Sequence, residues 1–216
     1  MSSCQCDRIE CKFDEPYASE KLALYRDAGP DPSTRVLLDA ILAEGVGGKT
    51  LLDIGGGVGA IQHELLKAGV SSVQEVEASA AYVEACRDEA TRLGHADRIT
   101  HLTGDLVAVA ADVQRADIVT LDRSLCCWHD MLSLVEASAG KSTWLYGLVY
   151  PRDTWWVRHG WRIWSNVRQM LNRTSMRVFA HRTRDVETIL ARHGLMRRSY
   201  AEVGVWQVAL YAKDET

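Results

Sequence analysis

No stretch of about 18 consecutive apolar residues occurs in the chain, so no membrane-spanning helix is expected. The opening residues, Met1-Ser2-Ser3-Cys4-Gln5-Cys6-Asp7-Arg8, lack the apolar core of a secretory signal. Six cysteines in 216 residues are too few for a disulfide scaffold, and a cytoplasmic location is the expectation. An excess of basic charge is also missing. Lys and Arg number 25 against 29 Asp and Glu, giving a net charge of -4, so general affinity for nucleic acid is not expected. Internal repeats, low-complexity tracts and clear linkers are absent. What remains is one α/β-sized domain over residues 1–216, read as an N-terminal helical cap over 1–48 and a core over 49–216.

Pro16 to Asp27 reads as a short helix. The break Gly29-Pro30-Asp31-Pro32 follows, where Asp31 can cap a second helix carrying Val36, Leu37, Ala40 and Ile41. From Thr50 strands and helices alternate. Strands are expected over 50–54, 72–77, 98–102, 117–121 and 142–150, and two more over 198–203 and 206–212 around Gly204. Such alternation implies right-handed crossovers, hence a doubly wound, mostly parallel sheet, with the closing pair an antiparallel hairpin.

The most informative stretch is Leu52-Asp53-Ile54-Gly55-Gly56-Gly57-Val58-Gly59-Ala60. A strand ends, the chain turns, and a helix starts. Glycines permit the turn and let the backbone approach a nucleotide-like ligand closely. The spacing Gly55-x-Gly57-x-x-Ala60 also satisfies the dinucleotide fingerprint, and Glu77 at the end of the second strand would suit the ribose of either ligand. NAD therefore stays open as an alternative on these residues.

Asp53-Ile-Gly-Gly-Gly-Val-Gly59, Gly104-Asp105-Leu106 after the third strand and the Gly204-centred hairpin together resemble the class I S-adenosylmethionine-dependent methyltransferases. The resemblance implies their Rossmann-like seven-stranded sheet with an antiparallel C-terminal strand, and S-adenosyl-L-methionine as cofactor. It implies that Gly55, Gly56, Gly57 and Gly59 line the methionine part, with Asp53 orienting the amino group. Glu77 would hold the ribose hydroxyls, and Asp105 with the Leu106 backbone would read the adenine. Asp122, at the tip of the fourth strand, would border the same pocket. A lysine-bearing phosphate loop is absent, and a sulfonium donor needs none; alignment with the acceptor supplies most of the rate.

Candidates for the acceptor side follow strands four and five. In Asp122-Arg123-Ser124-Leu125-Cys126-Cys127-Trp128-His129-Asp130, His129 is a candidate general base oriented by Asp130, with helix capping as the plainer role. Tyr150 is a candidate proton donor or acceptor. Arg152 is a candidate holder of a substrate carboxylate, or else half of an ion pair with Asp153. His181 is a second candidate base.

Between them a helix is expected over 154–171, with Trp156, Gly160, Trp164, Val167 and Leu171 on one face. That face reads first as packed on the sheet. Its tryptophans and neighbouring arginines also suit a lid over an apolar or aromatic small molecule, or a peripheral membrane surface. Tyr150-Pro151-Arg152 ahead of this helix is similar to magnesium-protoporphyrin O-methyltransferases, without assigning that acceptor.

No standard zinc spacing is present and no metal is expected. Cys4, Cys6, Cys11 and Cys126-Cys127 leave a thiolate-assisted, arsenite-type methylation as an alternative. A binding protein without turnover is another. The leading expectation is displacement of a methyl group onto oxygen or nitrogen of a small or medium organic acceptor.

Overall fold

The computed structural model describes residues 9–171 and 176–213. Cys4 and Cys6 lie outside the described residues. After a helical turn at residues 9–12 come two helices, α1 (Glu15–Ala28) and α2 (Pro32–Leu42). The alternating region follows as β1 (Thr50–Ile54), α3 (Ala60–Lys67), β2 (Ser72–Glu77), α4 (Ala80–Leu93), β3 (Ile99–Thr103), the single turn α5 (Leu106–Val109), β4 (Ala116–Asp122) and α6 (Met131–Ala139). The chain closes with β5 (Ser142–Pro151), α7 (Arg162–Leu171), α8 (Thr183–Arg192), β6 (Leu195–Val203) and β7 (Trp206–Lys213).

The seven strands form one sheet in the order β3-β2-β1-β4-β5-β7-β6. β7 alone runs against the others, inserted between β5 and β6. Its hairpin with β6 turns at Gly204, which sits at φ 60°. The expected sheet, including the reversed strand, is what the chain forms.

Strand residues alternate between two apolar layers because successive side chains point to opposite faces. Leu52, Val119 and Tyr146 pack with Leu134 and Val135 of α6 and with Ile189 and Leu190 of α8. Their chain neighbours Leu51, Ile118 and Leu145 pack on the other side with Leu37 and Ile41 of α2 and Leu65 of α3. α2 thus belongs to the second layer. α1 instead lies against α4 through Leu22, Tyr25 and Ala85.

Strand order reverses between β1 and β4, and both end at the same edge of the sheet. A ligand crevice opens at such a switch point, beyond the carboxyl ends of the strands. Three local expectations fail here. The Asp31 side chain makes no cap bond to α2; it pairs with Arg123 across the crevice. The Trp-rich segment is not a continuous α-helix, since Val157–Trp161 is wound as a π-helix before α7 begins. Nor does its tryptophan stripe pack on the sheet: Trp156 and Trp164 are exposed, and no residue of α7 is buried.

Candidate active site

The crevice is a cleft of about 780 Å³ beyond β1, β2 and β4, closed from above by residues 9–31 and flanked by α7. Its floor is the glycine turn. Gly55, Gly57 and Gly59 all have positive φ, at 68°, 59° and 78°, which side chains other than glycine adopt at a cost. Gly55, Gly56 and Gly57 line the cleft. A Cβ at Gly57 would meet only the Tyr82 ring, at 3.7 Å, so this position opens onto the cavity. Gly59 does not line the cleft. A Cβ there would strike the Cys86 sulfur at 2.7 Å and His63 Nε2 at 2.9 Å, so its side faces the interior beneath the turn.

The expected acids surround this floor. Asp53 is buried, its Oδ1 accepting from Thr120 Oγ1 at 2.7 Å and its Oδ2 from Gln62 Nε2 at 3.1 Å. Burial pushes its pKa up to about 7 despite those two donors. Glu77 accepts from the backbone N–H of Gly57 at 3.2 Å and of Ser79 at 2.9 Å, and burial likewise raises it to about 7. The turn and the β2 tip are therefore one hydrogen-bonded unit. Asp105 spends one oxygen on the Val107 N–H at 2.9 Å, capping α5, and Leu106 packs beneath it. Asp122 accepts from Thr34 Oγ1 at 2.5 Å and from Arg123 Nε at 3.2 Å.

The four acceptor-side candidates are not in the cleft wall. His129 is exposed, with its ring 6.5 Å from Phe179, and Asp130 caps α6 by accepting from the Ser133 N–H at 3.2 Å. Tyr150 points into the α6/α8 layer with Tyr146 and Leu148, because residues two apart on a strand share a face. Burial lifts its phenol to about 12, so it stays protonated at neutral pH. Arg152 pairs with Glu202 at 2.5 Å and donates to the Gly204 carbonyl at 3.4 Å. His181 Nε2 lies 2.9 Å from the Trp128 carbonyl and 3.2 Å from that of Leu125. Since a carbonyl only accepts, that nitrogen carries the proton, and the ring ties down the loop after β4.

Other side chains occupy the acceptor half. Phe13, Tyr17 and Tyr82 form a ring cluster with centroids 5.4–6.4 Å apart. Burial raises the phenols of Tyr17 and Tyr82, which leaves them hydrogen-bond donors. Arg123 stands at the tip of β4 with φ 54°, held by Asp122 and Asp31. Lys12, Lys21 and Arg168 add positive charge at the mouth, where Glu20 is also present. No histidine lines the cleft among the described residues. Arg123 was within reach of sequence reasoning, since it directly follows the carboxyl end of β4; nothing in its neighbours marks the aromatic trio.

One group of metal-capable side chains lies beneath the turn, where ligand atoms of Glu75, Cys86 and His101 fall within 4.8 Å of one another. These atoms already serve each other. Glu75 pairs with His101 Nδ1 at 2.5 Å and accepts from Gln62 at 2.9 Å, while the Cys86 thiol lies 3.5 Å from Gln62 Oε1.

A family model for a methyltransferase domain matches residues 52–139, the stretch from the glycine turn through α6. Ribosomal protein L11 methyltransferase from Thiobacillus denitrificans is 38% identical over 92 residues, which cover 43% of this chain and 31% of that protein. The chain thus spans about a third of that relative. Among solved structures, magnesium protoporphyrin IX methyltransferase from Synechocystis PCC 6803 with bound SAH aligns with a TM-score of 0.74 at 15% identity, covering 97% of this chain and 100% of the other. An O-methyltransferase family protein from Burkholderia thailandensis aligns with a TM-score of 0.71 at 15% identity, covering 91% and 58%. At such identity these two likenesses speak for the fold. Residues 52–139, which hold the glycine turn and its acids, thus match a methyltransferase domain, and the sheet around them has the fold of these methyltransferase structures.

Proposed function

We propose that the chain methylates a carboxylate oxygen of an apolar or aromatic small molecule, with S-adenosylmethionine as donor. The observation that carries this reading is the division of charge in the cleft. Buried carboxylates, Asp53 and Glu77, stand at the cofactor half, while Arg123, Lys12, Lys21 and Arg168 line the acceptor half together with Glu20, Asp31 and Asp122, and no histidine lines it among the described residues. The cofactor half fits the donor: backbone without side chains at the turn, and buried carboxylates beside it to take an ammonium group and a ribose diol. When bound, the donor supplies an electrophilic methyl group on a positively charged sulfur.

The chain's own contribution is binding and alignment. Arg123 is fixed by Asp31 through Nη1 and by Asp122 through Nε, which leaves Nη2, with only a long 3.5 Å contact to Thr34 Oγ1, to meet an anionic acceptor. Tyr17 and Tyr82 donate hydrogen bonds and shed water from the reaction path. A carboxylate is already ionised at neutral pH, so no general base is required. The solved neighbours from Synechocystis and Burkholderia, named for porphyrin and O-methyl transfer, support an oxygen acceptor.

The test incubates the protein with S-adenosylmethionine and a panel of apolar carboxylic acids, phenols and amines. Mass spectrometry then follows products heavier by one methyl group. Methyl esters are expected from the acids. Turnover confined to amines or phenols would overturn the carboxylate assignment.

A further inference from the structure

The helix beside the cleft is built inside out. At about 100° per residue, Ile163, Trp164, Val167, Met170 and Leu171 of α7 share an arc of roughly 120°, and Arg162, Ser165, Asn166, Arg168 and Gln169 fill the opposite side. A helix that serves a protein core turns its apolar arc inward. Here the polar side faces the protein: Ser165, Arg168 and Gln169 line the cleft, joined by Trp164 at the edge of the apolar arc. Asn166 is tied to the returning chain, accepting from the Val178 N–H at 2.8 Å and donating to the Val178 carbonyl at 3.1 Å. The apolar arc is left to solvent, with Ile163 55%, Met170 69% and Leu171 73% exposed. Trp155 extends the same open surface at 78%.

A second feature says what covers this surface. Between Thr154 and Arg184 the sequence holds seven arginines and no acidic residue, although the whole chain carries 29 acids and a net charge of -4. Four of its seven tryptophans fall between residues 155 and 164. Tryptophan favours the boundary between lipid headgroups and acyl chains, and arginine beside it meets anionic headgroups. A soluble apolar partner would satisfy the tryptophans and leave the acid-free run of arginines unexplained.

From these observations we infer that the Val157–Trp161 turn and α7 dock on an anionic lipid bilayer surface, lying in the headgroup plane. Ile163, Met170, Leu171 and Trp155 enter the acyl boundary, while Arg162 and Arg158, the latter paired with Asp153 at 3.5 Å, lie on the far side of the helix and attract the anionic surface from within a Debye length. Residues of α7 also form the cleft wall, so docking sets the cleft mouth at the membrane surface. The inference stands whether or not the acceptor assignment holds.

The full chain is mixed with vesicles of neutral phosphatidylcholine, and with vesicles in which a third of the lipid is anionic phosphatidylglycerol. Sedimentation and tryptophan emission are read against salt. Binding to the anionic vesicles at least tenfold tighter than to neutral ones is expected, with blue-shifted emission and loss of binding at high salt. Met170→Glu with Leu171→Glu should abolish it. Arg158→Glu with Arg162→Glu should weaken it at least tenfold, at about fivefold per arginine charge removed. Unchanged melting temperature and S-adenosylhomocysteine affinity in these variants would show that each is folded. No binding to either vesicle, binding insensitive to the arginine changes, or a stable dimer that buries Trp155 and Trp164 would each overturn the inference.

Discussion

Replacing Gly57 separates the cofactor cleft from the stability of the sheet. The residue sits at φ 59°, and an added Cβ would meet nothing closer than the Tyr82 ring at 3.7 Å. Gly57→Ala therefore incurs the left-handed backbone penalty of about 1–2 kcal/mol without a steric clash. In a domain of this size that lowers the melting temperature by about 2–8 °C. Gly57→Arg incurs the same backbone penalty, but its side chain must run into the cleft between Tyr82 and the buried carboxylates. Cofactor binding should then fall by at least about a hundredfold, or roughly 2.7 kcal/mol, while the melting temperature stays close to that of Gly57→Ala. Differential scanning fluorimetry reads the first quantity, and calorimetric titration of S-adenosylhomocysteine the second. If Gly57→Arg binds within threefold of the parent, the ligand does not lie over this turn and the reasoning fails.

Other outcomes follow from the same geometry. Burial holds Asp53 and Glu77 at about 7, above their ordinary range, so folding favours their protonated forms. Their contribution to the stability of the free protein is greatest below the ordinary carboxylate range near pH 4 and is lost as pH rises through about 7. Cofactor binding, which needs the carboxylates ionised, runs the other way. Affinity for S-adenosylhomocysteine should rise about tenfold between pH 6 and pH 8 for each carboxylate that must ionise, about a hundredfold for both, and a flat profile would show that neither carboxylate touches the ligand. Tyr150→Phe should leave kcat within twofold, since the phenol faces the α6/α8 layer; a loss of a hundredfold would return Tyr150 to the reaction. Arg123→Gln should raise KM for a carboxylate acceptor at least tenfold with S-adenosylhomocysteine affinity little changed, and an unaltered KM would remove Arg123 from acceptor binding.

The residues differ in how far their chemistry announces their place. The turn after β1 was legible because glycines spaced behind Asp53 serve neither a strand nor a helix, and they mark a backbone that must bend and admit a ligand. Glu77 was legible as an acid at the end of a strand, whereas Asp105 was reached only through the family resemblance; the first is buried and the second half-exposed. Tyr150 was not. Its strand is buried on both faces, so the near-continuous apolar run of β5 says nothing about which face each side chain takes. The amphipathic pattern of α7 gave the apolar face, but a period cannot say whether protein or another phase covers it. His181 carries the side chain of a catalytic base and serves instead to hold two carbonyls of a loop, a use that emerges only when the chain is folded. The aromatic trio of Phe13, Tyr17 and Tyr82 joins segments far apart in sequence, and their meeting depends on α1 lying over α4.

The most direct measurement is a pair of calorimetric titrations on the full chain, one with S-adenosylhomocysteine and one with NAD. The account predicts one-to-one binding of the first, abolished by Gly57→Arg, and no heat from the second. Saturable binding of NAD with none of S-adenosylhomocysteine would contradict it.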